Sequence, residues 1–93
     1  MSISHISKIG VVGAGTMGHG IAQTFAQAGL EVLLHDVAPE ALDRARNSIG
    51  HSLGKLAAKG KLTAEDAEDA RLRLTTATEL EALSGVDYVV EAI

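Results

Sequence analysis

A glycine-rich segment between two apolar runs constrains the fold of this chain more than any other feature. The segment GAGTMG occupies residues 13–18, directly after the apolar residues 9–12 and directly before a stretch with helical spacing. In such a segment the first glycine permits the tight turn out of a strand, the second lets backbone N–H groups approach a diphosphate, and the third lets the helix pack against the sheet. The next apolar run ends at Asp36. This order predicts a dinucleotide-binding strand-helix-strand unit.

Asp36 indicates which dinucleotide such a unit would bind. It follows the second glycine by about 20 residues, where an acidic side chain accepts hydrogen bonds from the adenosine ribose. The diphosphate is expected at the positive dipole end of the helix that begins near Thr16. A 2′-phosphate would be repelled by Asp36 by roughly 4 kcal/mol, at about 4 Å and an effective dielectric near 20. The predicted cofactor is therefore NAD rather than NADP. The alternative is a glycine turn that only helps packing and an aspartate that caps the next helix.

Hydrophobic periodicity predicts an α/β fold with four strands. The strands are predicted at residues 8–12, 30–36, 72–76 and 86–93. The helices are predicted from Thr16 to a cap at Gly29, from Pro39 to Gly60, from Thr63 to about Arg71 and, for one or two turns, between Thr78 and Ser84-Gly85. Right-handed crossovers would place the strands in a parallel Rossmann-type sheet of order 3-2-1-4, with the third strand near an edge. Residues 39–71 would form a helical hairpin, although one helix suffices for such a crossover.

Local signals mark three of the predicted helix starts. Pro39 suits the first turn of a helix, where its missing N–H is not needed. Thr63 with Asp66, and Thr78 with Glu81, have the spacing of a capping box. Each pair predicts that the threonine hydroxyl accepts a hydrogen bond from a backbone N–H in the first turn.

The composition suits one small globular domain and excludes several classes of function. Of the 93 residues, 46% are hydrophobic and 22% are charged. A net charge of −4 without a dense basic patch argues against nucleic-acid binding. The chain has no cysteine, which excludes disulfides and thiol metal sites and suits the cytoplasm. No apolar stretch approaches the roughly 18 residues of a membrane span. No membrane or metal is therefore expected.

The motifs together have a familiar form. They are the glycine segment, Asp36, a basic helical hairpin that ends in Lys59-Gly60-Lys61, and the closing sequence DYVVEAI at residues 87–93. With these features the chain resembles the 3-hydroxyacyl-CoA dehydrogenases, including the bacterial 3-hydroxybutyryl-CoA enzymes, through essentially all 93 residues.

The resemblance implies an activity that this chain would only partly carry. The family performs NAD-dependent, reversible oxidation of 3-hydroxyacyl-CoA to the 3-ketone, between a nucleotide-binding domain and a helical domain, in fatty-acid and butanoate metabolism. Residues 1–93 would be the N-terminal NAD-binding part, without the helical domain. The family's catalytic histidine, its partner glutamate, and the nearby serine and asparagine match no residue here. The chain alone is therefore expected to be inactive, and the full-length protein to be a homo-oligomer that acts on an acyl-CoA.

The resemblance also assigns ligand-binding residues. The cofactor-binding residues would be Gly13, Ala14, Gly15, Thr16, Met17, Gly18, Asp36, Ala92 and Ile93. Ser52 and Lys59 match positions that contact the CoA moiety. Independently of the resemblance, Ser52, Lys55 and Lys59 have the spacing of one helix face, beside an apolar stripe. The alternative is that these are ordinary solvated lysines.

The remaining polar residues of interest are the histidines, which suggest no catalytic pairing. They are His5, His19, His35 and His51, and each is expected to have a surface or structural role.

Two other functions remain open at this stage. The chain could be a stand-alone nucleotide-sensing or assembly module, with its last strand as a docking surface. It could also be a β-hydroxyacid dehydrogenase of the 6-phosphogluconate type, although Asp36 and the long hairpin argue against this.

Overall fold

Four short parallel strands form the sheet at the centre of the molecule, of which the computed structural model describes residues 6–93. The strands are β1 (Lys8–Val12), β2 (Glu31–His35), β3 (Leu74–Ala77) and β4 (Tyr88–Glu91). They lie in the order β3-β2-β1-β4, and every neighbouring pair is parallel. The predicted α/β class and strand order are confirmed, with β3 at one edge.

The helices lie between the strands in the predicted order. They are α1 (Thr16–Gln27), α2 (Pro39–Ala58), α3 (Ala64–Leu72) and a 3-10 helix at Leu80–Gly85. Left-handed glycines follow the first two helices, with φ of +97° at Gly29 and +75° at Gly60. Both positions favour glycine because a Cβ is strained there. Helices α2 and α3 pack against each other as the predicted hairpin.

The hydrophobic core is built almost wholly from aliphatic residues and alanine. Buried side chains come from both central strands, from all three α-helices and from the start of β3: Ile9, Val11, Val32, Leu34, Ala22, Ala26, Leu42, Ala45, Ile49, Leu53, Ala67, Ala70 and Leu74. The largest contribute on the order of 1.5–3 kcal/mol each when they leave water. Gly10 points away from these residues, and a Cβ there would lie 2.6 Å from Leu83 of the 3-10 helix. The 3-10 helix therefore covers the other face of the sheet.

The two predicted capping boxes have different outcomes. Thr63 is the N-cap of α3, and its hydroxyl accepts a hydrogen bond from the Asp66 N–H at 2.9 Å, as predicted. The Thr78–Glu81 prediction is wrong, because the 3-10 helix has Glu79 as its N-cap and no side-chain cap. The carbonyl oxygen of Thr78 instead accepts a hydrogen bond from His35 Nε2 at 3.2 Å, so tertiary contact overrides the local signal.

Strand boundaries differ from the prediction by a few residues. Strand β3 begins at Leu74 because Leu72 still belongs to α3 and Arg73 is its C-cap. Strand β4 is limited to Tyr88–Glu91, the stretch that pairs with residues 9–12 of β1.

Two side chains join the ends of these elements. Asp87 Oδ2 accepts hydrogen bonds from the backbone N–H groups of Ser7 at 2.9 Å and Lys8 at 3.0 Å, which ties the start of β4 to the start of β1. These bonds, that from Ser7 first, lower the pKa of Asp87. Arg73 Nη1, at the end of α3, donates to the carbonyl oxygen of Ala26 at 2.9 Å and so joins this end to the end of α1. In residues 6–93 no helix combines the length and apolarity needed to cross a bilayer.

Candidate functional site

The glycine turn joins β1 to α1 at the carboxyl edge of the sheet. Gly13 has a φ of +102°, and a Cβ on it would lie 2.9 Å from the carbonyl oxygen of Ala92. Gly18 is buried, and a Cβ on it would overlap the carbonyl oxygen of Gly13. The first and third glycines are therefore required by the fold itself, through backbone conformation at Gly13 and close packing at both positions.

Gly15 differs from its two neighbours in the motif. Its backbone is extended, with φ −71° and ψ −167°, a conformation open to any residue. A Cβ on it would have no atom within 4 Å beyond its own residue and its two chain neighbours, and the residue is exposed. Neither backbone strain nor packing within the chain explains glycine here. A side chain at this position would obstruct the approach of a ligand to the backbone.

The start of α1 has the features of an anion site. Gly15 is its N-cap and has no side chain to satisfy the first N–H groups of the helix. These groups and the helix dipole favour a negatively charged ligand. Thr16 and Met17 follow and are exposed, Met17 to 69%. At Gly15 no side chain would stand between the backbone and a diphosphate.

Asp36 is held in place by backbone N–H groups from two elements. Its Oδ2 accepts a hydrogen bond from Ala14 in the glycine turn, and its Oδ1 accepts one from Ala38 at the start of α2, both at 2.9 Å. The Ala14 bond and then the Ala38 bond lower the pKa of this half-buried carboxyl group. Each oxygen retains a second lone-pair direction for a ligand hydroxyl. Asp36 is not the cap of α2, whose N-cap is Ala38 without a side-chain cap, but the two bonds orient its carboxylate beside the turn.

The end of β4 completes this edge of the sheet. The Ala92 N–H donates to the carbonyl oxygen of Val12 at 2.8 Å, which brings Ala92 against Gly13 and Gly18. Ile93 follows and is 98% exposed. All nine residues predicted to bind the cofactor therefore lie at the carboxyl ends of β1, β2 and β4 or in the first turn of α1.

The three histidines of the described residues lie on three different elements, α1, β2 and α2. His19 Nδ1 lies 3.0 Å from the carbonyl oxygen of Gly15, which it can only reach as a donor. His35 is buried, and its Nδ1 has no hydrogen-bond partner among the described residues. His51 is exposed on α2, and His5 lies outside the described residues.

A second polar site lies on the C-terminal half of α2. A pocket of about 260 Å³ is lined by His51, Ser52, Lys55, Leu56, Lys59 and Lys61. The predicted grouping of Ser52, Lys55 and Lys59 is therefore present in space. Lys61 joins them because the chain turns back at Gly60, where the Lys61 N–H donates to the carbonyl oxygen of Leu56 at 2.9 Å. Lys8 is the only other lysine in the sequence, so most of the chain's ammonium groups meet at this pocket.

Sequence reasoning missed a residue that contacts this second site. Gln23 of α1 donates a hydrogen bond from Nε2 to Ser52 Oγ at 2.9 Å. No local signal marked this residue, because Gln23 shares its side of α1 with the polar residues His19 and Gln27.

The parallel sheet, the glycine turn and the carboxylate beside it define a dinucleotide-binding domain of the Rossmann type. Residues 8–93 match the family model described as "3-hydroxyacyl-CoA dehydrogenase, NAD binding domain". The chain therefore belongs to the 3-hydroxyacyl-CoA dehydrogenase family, a family of oxidoreductases, and NAD is the cofactor of this domain. This assignment replaces the alternative of a 6-phosphogluconate-type enzyme.

Individual relatives agree with the family match. The chain is 52% identical over 87 residues to a probable 3-hydroxybutyryl-CoA dehydrogenase of Deinococcus radiodurans, covering 92% of this chain and 31% of that protein. It is 43% identical over 88 residues to the 3-hydroxyadipyl-CoA dehydrogenase of Escherichia coli K12, covering 95% of this chain and 18% of that protein. The chain thus spans less than a third of the length of either relative.

Solved structures show the same fold. The crystal structure of 3-hydroxybutyryl-CoA dehydrogenase from Escherichia coli superposes with a TM-score of 0.90 at 43% identity, covering 92% of this chain and 18% of that one. The (S)-3-hydroxybutyryl-CoA dehydrogenase of Ralstonia eutropha also gives 0.90, at 40% identity, covering 94% of this chain and 31% of that one.

Proposed function

We propose that this chain is the NAD-binding portion of an enzyme that oxidises a 3-hydroxyacyl-CoA to the 3-ketoacyl-CoA. The observation that carries the proposal is Gly15, a glycine that neither the backbone nor the packing of the chain requires. A diphosphate held at the N-terminus of α1 supplies the missing reason, because its oxygens must approach the backbone N–H groups there closely.

The other proposed NAD contacts surround this point. Asp36 would accept hydrogen bonds from the adenosine ribose with the lone pairs that Ala14 and Ala38 leave free. Ala92 and Ile93, at the end of β4, would border the adenosine half. When bound, NAD supplies the acceptor for a hydride from C3 of the substrate. This chain contributes by binding and orienting the cofactor.

The proposed substrate contacts lie on α2. Ser52 and Lys59 would bind the CoA moiety, and Lys55 and Lys61 add positive charge to the same pocket. Ammonium groups attract the phosphates of CoA, and Ser52 can donate one hydrogen bond. This support comes from the shared pocket together with the family resemblance.

The proposal also covers the activity of the chain alone and the pathway, compartment and oligomeric state of the whole protein. The chain alone would be inactive, because the general base and its partners match no residue in it. The whole protein would act in fatty-acid or butanoate metabolism, in the cytoplasm and as a homo-oligomer.

Calorimetric titration tests the binding roles directly. We expect the protein to bind NAD and ADP-ribose at one site, and coenzyme A at a second, independent site. No heat and no thermal stabilisation with NAD or ADP-ribose at millimolar concentration would refute the nucleotide site. The same result with coenzyme A alone would refute only the substrate contacts on α2.

A further inference from the structure

Gln23 links the helix that begins at the nucleotide site to the helix that carries the second pocket. Its Nε2 donates two hydrogen bonds of 2.9 Å, one to Ser52 Oγ on α2 and one to Gln27 Oε1 on α1. A side-chain amide nitrogen carries two hydrogens, so both are used. Gln23 and Ser52 are each half-buried, which shields the bond between the helices from competing water.

The direction of this bond decides what the Ser52 hydroxyl can do. Because Ser52 Oγ accepts from Gln23, its own hydrogen remains available for an acceptor. A serine or threonine within a helix commonly donates that hydrogen to the backbone carbonyl four residues earlier, as Thr24 does to Gly20 at 3.0 Å. Among the residues that the structure describes, Ser52 Oγ donates to no protein acceptor.

The surroundings of Ser52 indicate what would accept this hydrogen. Ser52 lines the pocket that also contains Lys55, Lys59 and Lys61, and no carboxylate is among the lining residues. Ammonium groups are donors only, so this part of the pocket presents hydrogens and positive charge to a ligand. Phosphate oxygens, which accept hydrogen bonds and carry negative charge, complement this arrangement.

We propose that Gln23 is a positioning residue for the CoA substrate, because its amide holds the Ser52 hydroxyl with its hydrogen free to donate to a phosphate oxygen in the lysine-lined pocket. The proposal rests on the proposed function, since it takes the pocket on α2 as the CoA site. Gln23 would act only through Ser52, without touching the ligand.

A double-mutant cycle on coenzyme A binding tests this role. Gln23→Met keeps the length and helix propensity of the side chain and removes both hydrogen bonds. We expect it to weaken coenzyme A binding about fivefold, and Ser52→Ala about tenfold, as for a hydrogen bond to a charged group. The double variant should bind like Ser52→Ala alone, because without the hydroxyl Gln23 has nothing to orient. Affinity for ADP-ribose should stay unchanged in all three variants.

Two further variants separate positioning from a general effect on stability. Gln27→Met is the matched control, since it leaves the Gln23–Ser52 bond in place, and it should change coenzyme A affinity less than twofold. Gln23→Glu offers only acceptors, so it would capture the Ser52 hydrogen and should weaken binding even if Gln23→Met fails to fold.

The outcomes distinguish this proposal from the proposed function. If Ser52→Ala weakens coenzyme A binding but Gln23→Met and Gln23→Glu do not, only the role of Gln23 is wrong. Additive losses in the double variant would also overturn it. If the unmodified protein does not bind coenzyme A, the substrate contacts on α2 are wrong and the role of Gln23 fails with them.

Discussion

The three glycines of the turn should respond differently to the same substitution. Gly15→Ala adds a methyl group that meets no atom within 4 Å beyond its chain neighbours, whereas Gly18→Ala adds one that overlaps the Gly13 carbonyl oxygen. The first change should therefore leave the fold intact and weaken nucleotide binding. The second should damage the fold itself.

The expected magnitudes follow from these contacts. Alanine is a poorer N-cap than glycine, but it also lowers the entropy of the unfolded chain, so Gly15→Ala should change the free energy of unfolding by less than about 1 kcal/mol. Gly18→Ala must push α1 away from the turn, and overpacking of this kind costs about 1–3 kcal/mol. Each charge-assisted hydrogen bond that the Gly15 methyl prevents a diphosphate from forming is worth about 1.5–3 kcal/mol. The loss of one such bond should therefore weaken NAD binding at least about tenfold.

Urea unfolding and calorimetry with ADP-ribose measure these two effects separately. Gly20→Ala is the matched control, because Gly20 lies in the helix that Gly15 caps and its added methyl meets no atom within 4 Å outside that helix. It should stabilise α1 by up to about 1 kcal/mol and leave ADP-ribose affinity unchanged. If Gly15→Ala is folded and binds ADP-ribose within threefold of the unmodified protein, then Gly15 does not contact the diphosphate and the central argument fails.

Three further predictions concern charged residues. Asp36→Ala should weaken NAD more than NADP, because it removes the ribose acceptor and the repulsion of a 2′-phosphate together; equal losses in titrations with the two nucleotides would exclude this role. Lys59→Ala should weaken coenzyme A binding and reduce the salt dependence of that binding, measured from about 0.05 to 0.5 M salt. Lys8→Ala should do neither, because Lys8 does not line the pocket. The pKa of Asp87 is lowered in the folded protein. The contribution of this carboxylate to stability is therefore complete above its ordinary pKa of 3.8 and is lost as the pH falls through the pKa of the folded protein. Between about pH 5 and pH 3, the free energy of unfolding measured with urea should therefore fall less in Asp87→Asn than in the unmodified protein. An equal fall in both proteins would contradict the Asp87 contacts.

Much of the architecture was predictable because it depends on patterns within short segments. Strand β1 is buried on both faces at Ile9, Gly10 and Val11, and this is why its apolar residues run on without alternation. The stops at Gly29 and Gly60 depend on a left-handed conformation that favours glycine. The strand order followed from the connections between elements, as right-handed crossovers leave few arrangements.

The failures and omissions involve contacts between distant segments. Thr78 had the sequence of an N-cap, but its carbonyl oxygen pairs with His35, which is 43 residues earlier in the chain. Gln23 and Ser52 are 29 residues apart on different helices, so no helical spacing could relate them. The sequence offered a helix cap as the alternative role of Asp36, but α2 has no side-chain cap, and the carboxylate instead accepts from the N–H groups of Ala14 and Ala38.

The close packing of α1 explains how one helix can serve both sites. Gly18, Ala22 and Ala26 are buried and recur every four residues, so they form one face of α1 with almost no side-chain volume. This face lets the helix axis lie close to β1 and β2. The close approach brings Gly13 and Gly18 against Ala92 at one end and carries Gln23, beside Ala22, within hydrogen-bonding distance of Ser52. The third glycine of the motif is thus the first member of a small-residue face that positions both the nucleotide site and the lysine-lined pocket.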